Sequence, residues 1–327
     1  MAQENSNALP MVDVAGVGLN ATDTLIRVPH YPALDSKTRY LEAVTLAGGE
    51  VASALVACQR WGLRTRYIGK IGDDAAGEMQ RKEFARAGVE AHLTVVPDCP
   101  SQSSFIIVDE ASGERTILWQ RDLRMDMVPE EVERDCVVRS RLLHVTGSST
   151  AAMLRAAKWA RAEKIPVTLD VDGVYFGVQE LLEDVDYVIS SRTFPEKLMG
   201  ADNLFGLLPA LSRKFGPRFV AATLGREGVL AWTEGRFYYC PAIRVPTVDT
   251  TGAGDIFHGG FIYGLLAGWP LERILDFSCA AAALNCTALG ARSGIGSLDE
   301  IERLRREGQR YPNAFSPAEL EAARSAS

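Results

Sequence analysis

From residue 11 onward, apolar residues in this chain follow two rhythms that take turns. Short β-type runs occupy 12–17 (VDVAGV), 65–69 (TRYIG), 141–146 (RLLHVT), 166–170 (PVTLD), 186–190 (DYVIS) and 219–224 (FVAATL). Between them, 50–61, 75–87, 151–163, 204–214, 254–267 and 271–288 space apolar residues three and four apart, as one face of a helix requires. Strands alternating with helices predict an α/β sandwich built on a mainly parallel sheet covered by helices.

Two segments break the alternation. Residues 22–46 (TDTLIRV, then KTRYLEAVTLA) and 101–119 (SQSSFIIVDEASGERTILW) read as strands outside the main sheet, the second as a hairpin turning at Ser-Gly. Paired with each other they would make a small β lid whose exposed faces favour a homodimer. A single domain over 11–310 is expected, with 1–10 and 311–327 as loosely ordered tails.

Composition adds exclusions. With 47% hydrophobic and 24% charged residues, the 327-residue chain fits a soluble globular protein. Its 35 basic and 42 acidic residues give −7 with no basic block, which argues against a nucleic-acid partner. The start MAQENSNALP lacks a basic, apolar leader and the apolar stretches 256–269 and 279–289 are short, so a cytoplasmic protein with no membrane partner is expected. The six cysteines show neither CxxC nor zinc spacing; Cys58, Cys279 and Cys286 read as small core residues.

Candidate chemistry concentrates in 249–255, DTTGAGD, ahead of an apolar helical run. The glycines remove side chains where successive backbone N–H groups, those of Gly252, Ala253 and Gly254, can converge on an anion at a helix N-terminus. Asp255 beside such an anion is poor for binding but suits proton removal from a hydroxyl attacking a phosphoryl group. Read locally, the same residues make a tight strand-to-helix turn with Asp255 as a helix N-terminal acid.

The stretch V-D-T-T-G-A-G-D-x-F-x-G-G-F resembles the C-terminal signature of the PfkB, or ribokinase-like, carbohydrate kinases. Residues 48–77, GGEVASALVACQRWGLRTRYIGKIGDDAAG, and 223–228, TLGREG, resemble two further signatures of that family, in family order. The resemblance spans roughly 11–305 and implies a ribokinase-like three-layer sandwich with a β lid. It implies ATP-dependent phosphorylation of a hydroxyl on a small sugar or sugar acid, with Asp255 as base and the 252–254 backbone as anion hole. ATP and Mg²⁺ are the implied cofactors, and Asp249 would help hold a monovalent cation such as K⁺, although it also fits a cap acting through Thr251. Thr223, Gly225 and Gly228 would border the nucleotide, where a plain hairpin turn is the alternative. Asp23, Gly48 and Gly49 would meet the acceptor.

Departures from the pattern carry their own expectations. Ser53 stands where the family commonly has asparagine, so it would read the acceptor with a shorter reach. In DYVISSRTFPEKLMG the family's Asn-x-x-Glu element is replaced by Ser191 and Phe194, so Mg²⁺ is expected to be held mainly by ATP phosphates and water unless Glu196 takes the part of the missing acid from two residues away. His258, three residues past Asp255, reads as a packed or nucleotide-side histidine. Trp119 and Arg121 match an aromatic-x-Arg spacing that relatives direct at sugar acids, and a guanidinium fork suits a carboxylate; Arg121 and Arg124 also fit as solvated arginines. A nucleoside kinase using Phe105, Ile107 and Trp119 as a base slot, and a non-catalytic sugar or nucleotide sensor, are the alternatives.

Overall fold

Thirteen strands appear in chain order: β1 Val12–Val17, β2 Ala21–Val28, β3 Glu42–Gly48, β4 Thr65–Gly72, β5 Glu90–Val96, β6 Ser103–Asp109, β7 Arg115–Gln120, β8 Ser140–Thr146, β9 Val167–Val171, β10 Tyr187–Ser191, β11 Phe219–Thr223, β12 Val229–Thr233 and β13 Arg236–Cys240. The helices are α1 Glu50–Arg60, α2 Ala75–Ala87, α3 Arg134–Val138, α4 Thr150–Ala162, α5 Val178–Leu182, α6 Thr193–Met199, α7 Leu204–Phe215, α8 Ala253–Leu266, α9 Leu271–Asn285, α10 Leu298–Glu307 and α11 Pro317–Ala326. They come from a computed structural model that describes residues 9–326.

Nine strands form the main sheet in the order β13-β12-β11-β10-β9-β8-β1-β4-β5. It is parallel from β5 to β11, and only the β11-β12-β13 meander runs antiparallel. Alternate residues serve opposite layers, as the pleat demands. Ala15, Val17, Leu143, Val145, Leu169 and Val220 pack under α3 to α7. Val14, Tyr67 and Leu142 pack under α1, α2, α8 and α10, while Ile189, Phe219 and Ala221 pack under α8 and α9. Buried on both faces, the central strands read as continuous apolar runs, which is why the sequence marked them.

The lid is a second, four-stranded sheet in the order β3-β2-β6-β7. The two inserted segments do pair with each other, through parallel β2 and β6, with Asp23 opposite Ser104 and Leu25 opposite Ile106. Leu25, Ile106 and Val108 make its small inner core with Val44, Leu46 and Leu289. The β6–β7 hairpin turns at Gly113, whose φ of +69° is a left-handed conformation suited to glycine.

Elements absent from the sequence reading are peripheral: β5 at one edge, the β12–β13 pair at the other, and the short helices between. Residues 311–327, expected as a loose tail, carry α11, which Ser316 opens by bonding Glu319, while Phe315 and Leu320 pack on the core. The expected N-terminal tail lies, over residues 1–8, outside the described residues. No described helix is long and apolar enough to cross a membrane.

Candidate active site

A cleft of about 820 Å³ opens between the lid and the carboxyl ends of the parallel strands, the place where open α/β sheets offer ligand sites. Asp23, Gly49, Arg121, Thr223, Gly225, Gly228, Gly252, Ala253, Gly254 and Asp255 all line it. Gly48 lies behind Asp23, whose carboxylate fills the space that a Cβ would need.

The turn before α8 is built by its glycines. Gly252 caps the helix at φ +76°, and a Cβ there would stand 2.4 Å from the carbonyl oxygen of Ala291. Gly254 has open space on its side-chain face, so it leaves room for a ligand. The first intrahelical bond runs from Ile256 N–H to the Gly252 carbonyl at 2.9 Å, so earlier N–H groups lack helical acceptors. One of the three expected donors is engaged: the Ala253 N–H bonds Thr250 O at 3.2 Å, closing the turn. That leaves Gly252 and Gly254, with Asp255's own N–H, at the positive end of the helix.

Asp255 sits in the first turn of α8, facing the cleft. Burial, then the nearby Asp170 carboxylate, push its carboxyl up to about 7, against the opposing pull of His258, Arg115 and Arg292. A carboxylate so placed holds a proton weakly enough to be ionised near neutrality and strongly enough to take one.

Other acids surround it. Asp170 closes the sheet end of the cleft and meets His258 Nε2 at 3.1 Å. Glu50, the first residue of α1, accepts from the Thr146 hydroxyl, and burial together with Asp170 and Asp172 raises its carboxyl well above the ordinary range. Sequence reading missed Asp170 and Glu50. Asp170 had a signal, an acid at the carboxyl end of a parallel strand; Glu50 follows the Gly-Gly pair directly, as the first residue of α1.

At the acceptor end, Asp23 is buried and accepts from Ser104 Oγ, and burial raises its carboxyl. Ser53 departs from expectation. It is fully buried, lies outside the cleft lining, and its Oγ accepts from Arg292 Nε at 3.1 Å. Arg292 also donates to the Gly48 carbonyl, so an arginine from the loop after α9 fills the space beside the short serine. Burial lowers the Arg292 guanidinium to about 10, and no local pattern in ARSGIG announced it. Arg121 lines the cleft with its Nη2 2.9 Å from Asp126 Oδ1, whereas Arg124 is exposed and bonds Asp122.

The proposed base slot is redrawn by the pleat: Ile106, Ile117 and Trp119 line the cleft, whereas Phe105 and Ile107 belong to the lid's other face. At the opposite end, Thr223 closes β11 and donates to Ser190 O at 3.2 Å. Gly225 is open at its side-chain position, while Gly228 packs too close to the Cys240 carbonyl for any Cβ, so the two glycines serve different needs.

For metals, Ser191 lines the cleft, Phe194 is buried in the core and Glu196 does not face the cleft, so the displaced acid is out of place. No cluster of three metal-ligating side chains exists among the described residues. Asp249 is fully buried and clamps the turn: Oδ1 accepts from Thr251 N at 2.9 Å and Thr251 Oγ1 at 2.7 Å, and Oδ2 from Gly290 N at 2.8 Å. Nearby carbonyls of Thr251 and Ala291 accept from Asn285 Nδ2 at 3.2 and 3.1 Å. These bonds tie Asp249 to both the turn before α8 and the loop after α9.

Comparison with known proteins identifies the family and the fold. The family model described as pfkB family carbohydrate kinase matches residues 20–297. A ribokinase of Haemophilus influenzae is 28% identical over 285 residues, 85% of this chain and 93% of the relative. The crystal structure of an Agrobacterium tumefaciens protein assigned as a ribokinase superposes with a TM-score of 0.85 at 28% identity, over 91% of this chain and 98% of that one. Arabidopsis thaliana ribokinase complexed with ribose and ATP shares the fold, with a TM-score of 0.76 at 22% identity, covering 94% of this chain and 100% of that one.

Proposed function

Since the chain belongs to the pfkB family and is an ATP-dependent carbohydrate kinase, we propose that Asp255 takes the proton from a sugar or sugar-acid hydroxyl as that oxygen attacks the γ-phosphoryl group of ATP. The Gly252 and Gly254 N–H groups and the α8 dipole face the charge that builds on the transferred group. Asp23 and the Gly49 backbone hold the acceptor while Gly48 leaves room for the Asp23 carboxylate, Arg121 reads an acidic end on the acceptor, and Thr223, Gly225 and Gly228 border the nucleotide. Mg²⁺ comes with ATP.

The observation that carries this reading is Asp255 itself. It is a cleft-facing carboxylate raised to about 7, one residue past a glycine that opens onto the cleft. A sensor would have no need of such a group. The acceptor end holds both a charged fork and an apolar wall of Ile106, Ile117 and Trp119, so the deciding experiment is ADP release from ATP across neutral sugars, sugar acids and nucleosides. Turnover on a sugar or sugar acid supports the reading. Turnover on a nucleoside alone gives the cleft to the apolar wall, and ADP release with none of them, while ATP binds, would turn the protein into a sensor.

The lid's outer face bears Phe105 and Leu118, each more than half exposed, on neighbouring strands in register. We assign that face to a homodimer.

A further inference from the structure

His258 follows Asp255 by three residues on α8, a spacing that puts both on one helix face. Its side chain is almost fully buried, and its Nε2 lies 3.1 Å from Asp170 Oδ1. Asp170 also lines the cleft beside Asp255. Two carboxylates sharing one site oppose each other's ionisation, and an adjacent imidazolium offsets that opposition.

The pair continues inward. The ring of His144, on β8, has its centroid 5.3 Å from that of His258, and His258 Nδ1 and His144 Nε2 have no partner among the described residues. The Thr168 hydroxyl donates to Leu143 O at 3.3 Å, which leaves its oxygen to accept from His144 Nδ1 at 3.0 Å. His144 Nε2 is then the lone-pair nitrogen. Burial and the His258 charge lower His144 to about 3, so it stays neutral throughout the working range.

We propose that Asp170 and His258 are positioning residues that act as one charge-balanced unit behind Asp255, keeping its carboxylate ready to accept the hydroxyl proton, with neutral His144 closing the unit on its inner side. This rests on the reading of Asp255 as the base. The other charged groups around Asp255 are Glu50 on α1, Asp172 after β9, Arg115 on β7 and Arg292 in the loop after α9. Each stays in place in the variants that test the unit.

The test is the pH profile of kcat/KM, with the best acceptor from the substrate screen, for wild type, Asp170→Asn, His258→Gln and the double variant. A base works deprotonated, so its acid limb follows its pKa. Asp170→Asn removes a like charge and should move the limb down by roughly one pH unit, and His258→Gln removes the offsetting charge and should move it up by roughly as much. The double variant restores the balance and should return the limb close to wild type, which a merely structural pair would not do. Limbs that stay still, or that move the same way in both single variants, would overturn the proposal. If His258→Gln does not fold, the isosteric Asp170→Asn decides alone by the direction of its shift. Asp255→Asn separates the two levels: if it keeps turnover within tenfold, the base assignment falls and the proposal with it. If it is inactive while the limbs stay still, only the charge-balanced unit falls.

Discussion

The carbonyl oxygen of Gly113, at the tip of the lid hairpin, accepts from both the backbone N–H and the hydroxyl of Thr250, each at 3.2 Å. Thr250 lies two residues before the glycine that caps α8, so the lid is pinned to the turn that would face the transferred phosphoryl group. Arg115 strengthens the pin, its Nη1 donating to Thr250 Oγ1 at 2.7 Å.

Removing that hydroxyl should loosen the lid without touching the nucleotide end. For Thr250→Val we expect the acceptor KM to rise about five- to tenfold, in line with about 1 kcal/mol for a net hydrogen bond, with the KM for ATP unchanged. Steady-state kinetics with each substrate varied will check it; equal rises in both constants would argue against a lid-specific effect.

Asp255→Asn should lower kcat by ~10²–10⁴, the usual contribution of a general base, while ATP binding measured by calorimetry stays within a few-fold. In wild type, Asp255 is raised to about 7. Its active, deprotonated form therefore gains population as pH rises, so kcat/KM should climb through neutrality rather than plateau from pH 5 upward. A flat profile between pH 5 and 8 would contradict the assignment.

The two glycines flanking Ala253 should fail differently. Gly252→Ala forces a Cβ against the Ala291 backbone and puts alanine in a left-handed conformation, which alone costs about 1–2 kcal/mol, so Tm should fall along with activity. Gly254→Ala meets no protein atom and should leave Tm nearly unchanged while cutting kcat by ~10²–10³, the scale for disturbing one anion-hole donor. Thermal melts beside kinetics separate the cases.

Arg121→Lys should weaken a carboxylate-bearing acceptor about ten- to a hundredfold, because hydrogen bonds to charged groups are worth roughly 1.5–3 kcal/mol and a point charge cannot reproduce the fork. Neutral sugars should be little affected. If the best substrate is neutral and indifferent to the change, Arg121 serves Asp126 alone.

Light scattering at micromolar concentration should give a dimer, and Phe105→Asp with Leu118→Asp should convert it to a monomer by placing charge on the exposed lid face. A wild-type monomer would remove the lid interface.

Most of the layered fold could be read from the sequence because strands buried on both faces must be apolar throughout, and helices covering them must carry a stripe. β5 escaped because it is an edge strand: its apolar alternate positions Ala91, Leu93 and Val95 are only partly covered, and the other face mixes Glu90, His92 and Thr94 with Val96. The glycine turn was legible because its first constraint is local: Gly252 caps α8 at a positive φ. Ser53 was not, since its role depends on Arg292, which is distant along the chain and reaches it only once α1 and the loop after α9 are assembled. Asp170 and His258 posed the same difficulty, because a pair between a strand end and a helix has no spacing to betray it. The half-right base slot shows another limit: LWQ and SFII announce apolar lid strands, yet which alternate residues look inward depends on register.

That register has a consequence for how the molecule is assembled. Asp23 and Ser104 meet across β2 and β6 although 81 residues separate them, and the intervening chain includes α1, β4, α2 and β5 of the main layered body. Closing so long a loop carries an entropy cost before any lid contact repays it. The lid's two local pairs, β2 with β3 and β6 with β7, can join only after that cost is met, and the small apolar core of Leu25, Ile106 and Val108 gives little reward for joining early. A refolding chain can reach a state with its main sheet ordered and its nucleotide end complete while the acceptor end is still unbuilt, so recovery of secondary structure is no measure of recovered phosphorylation.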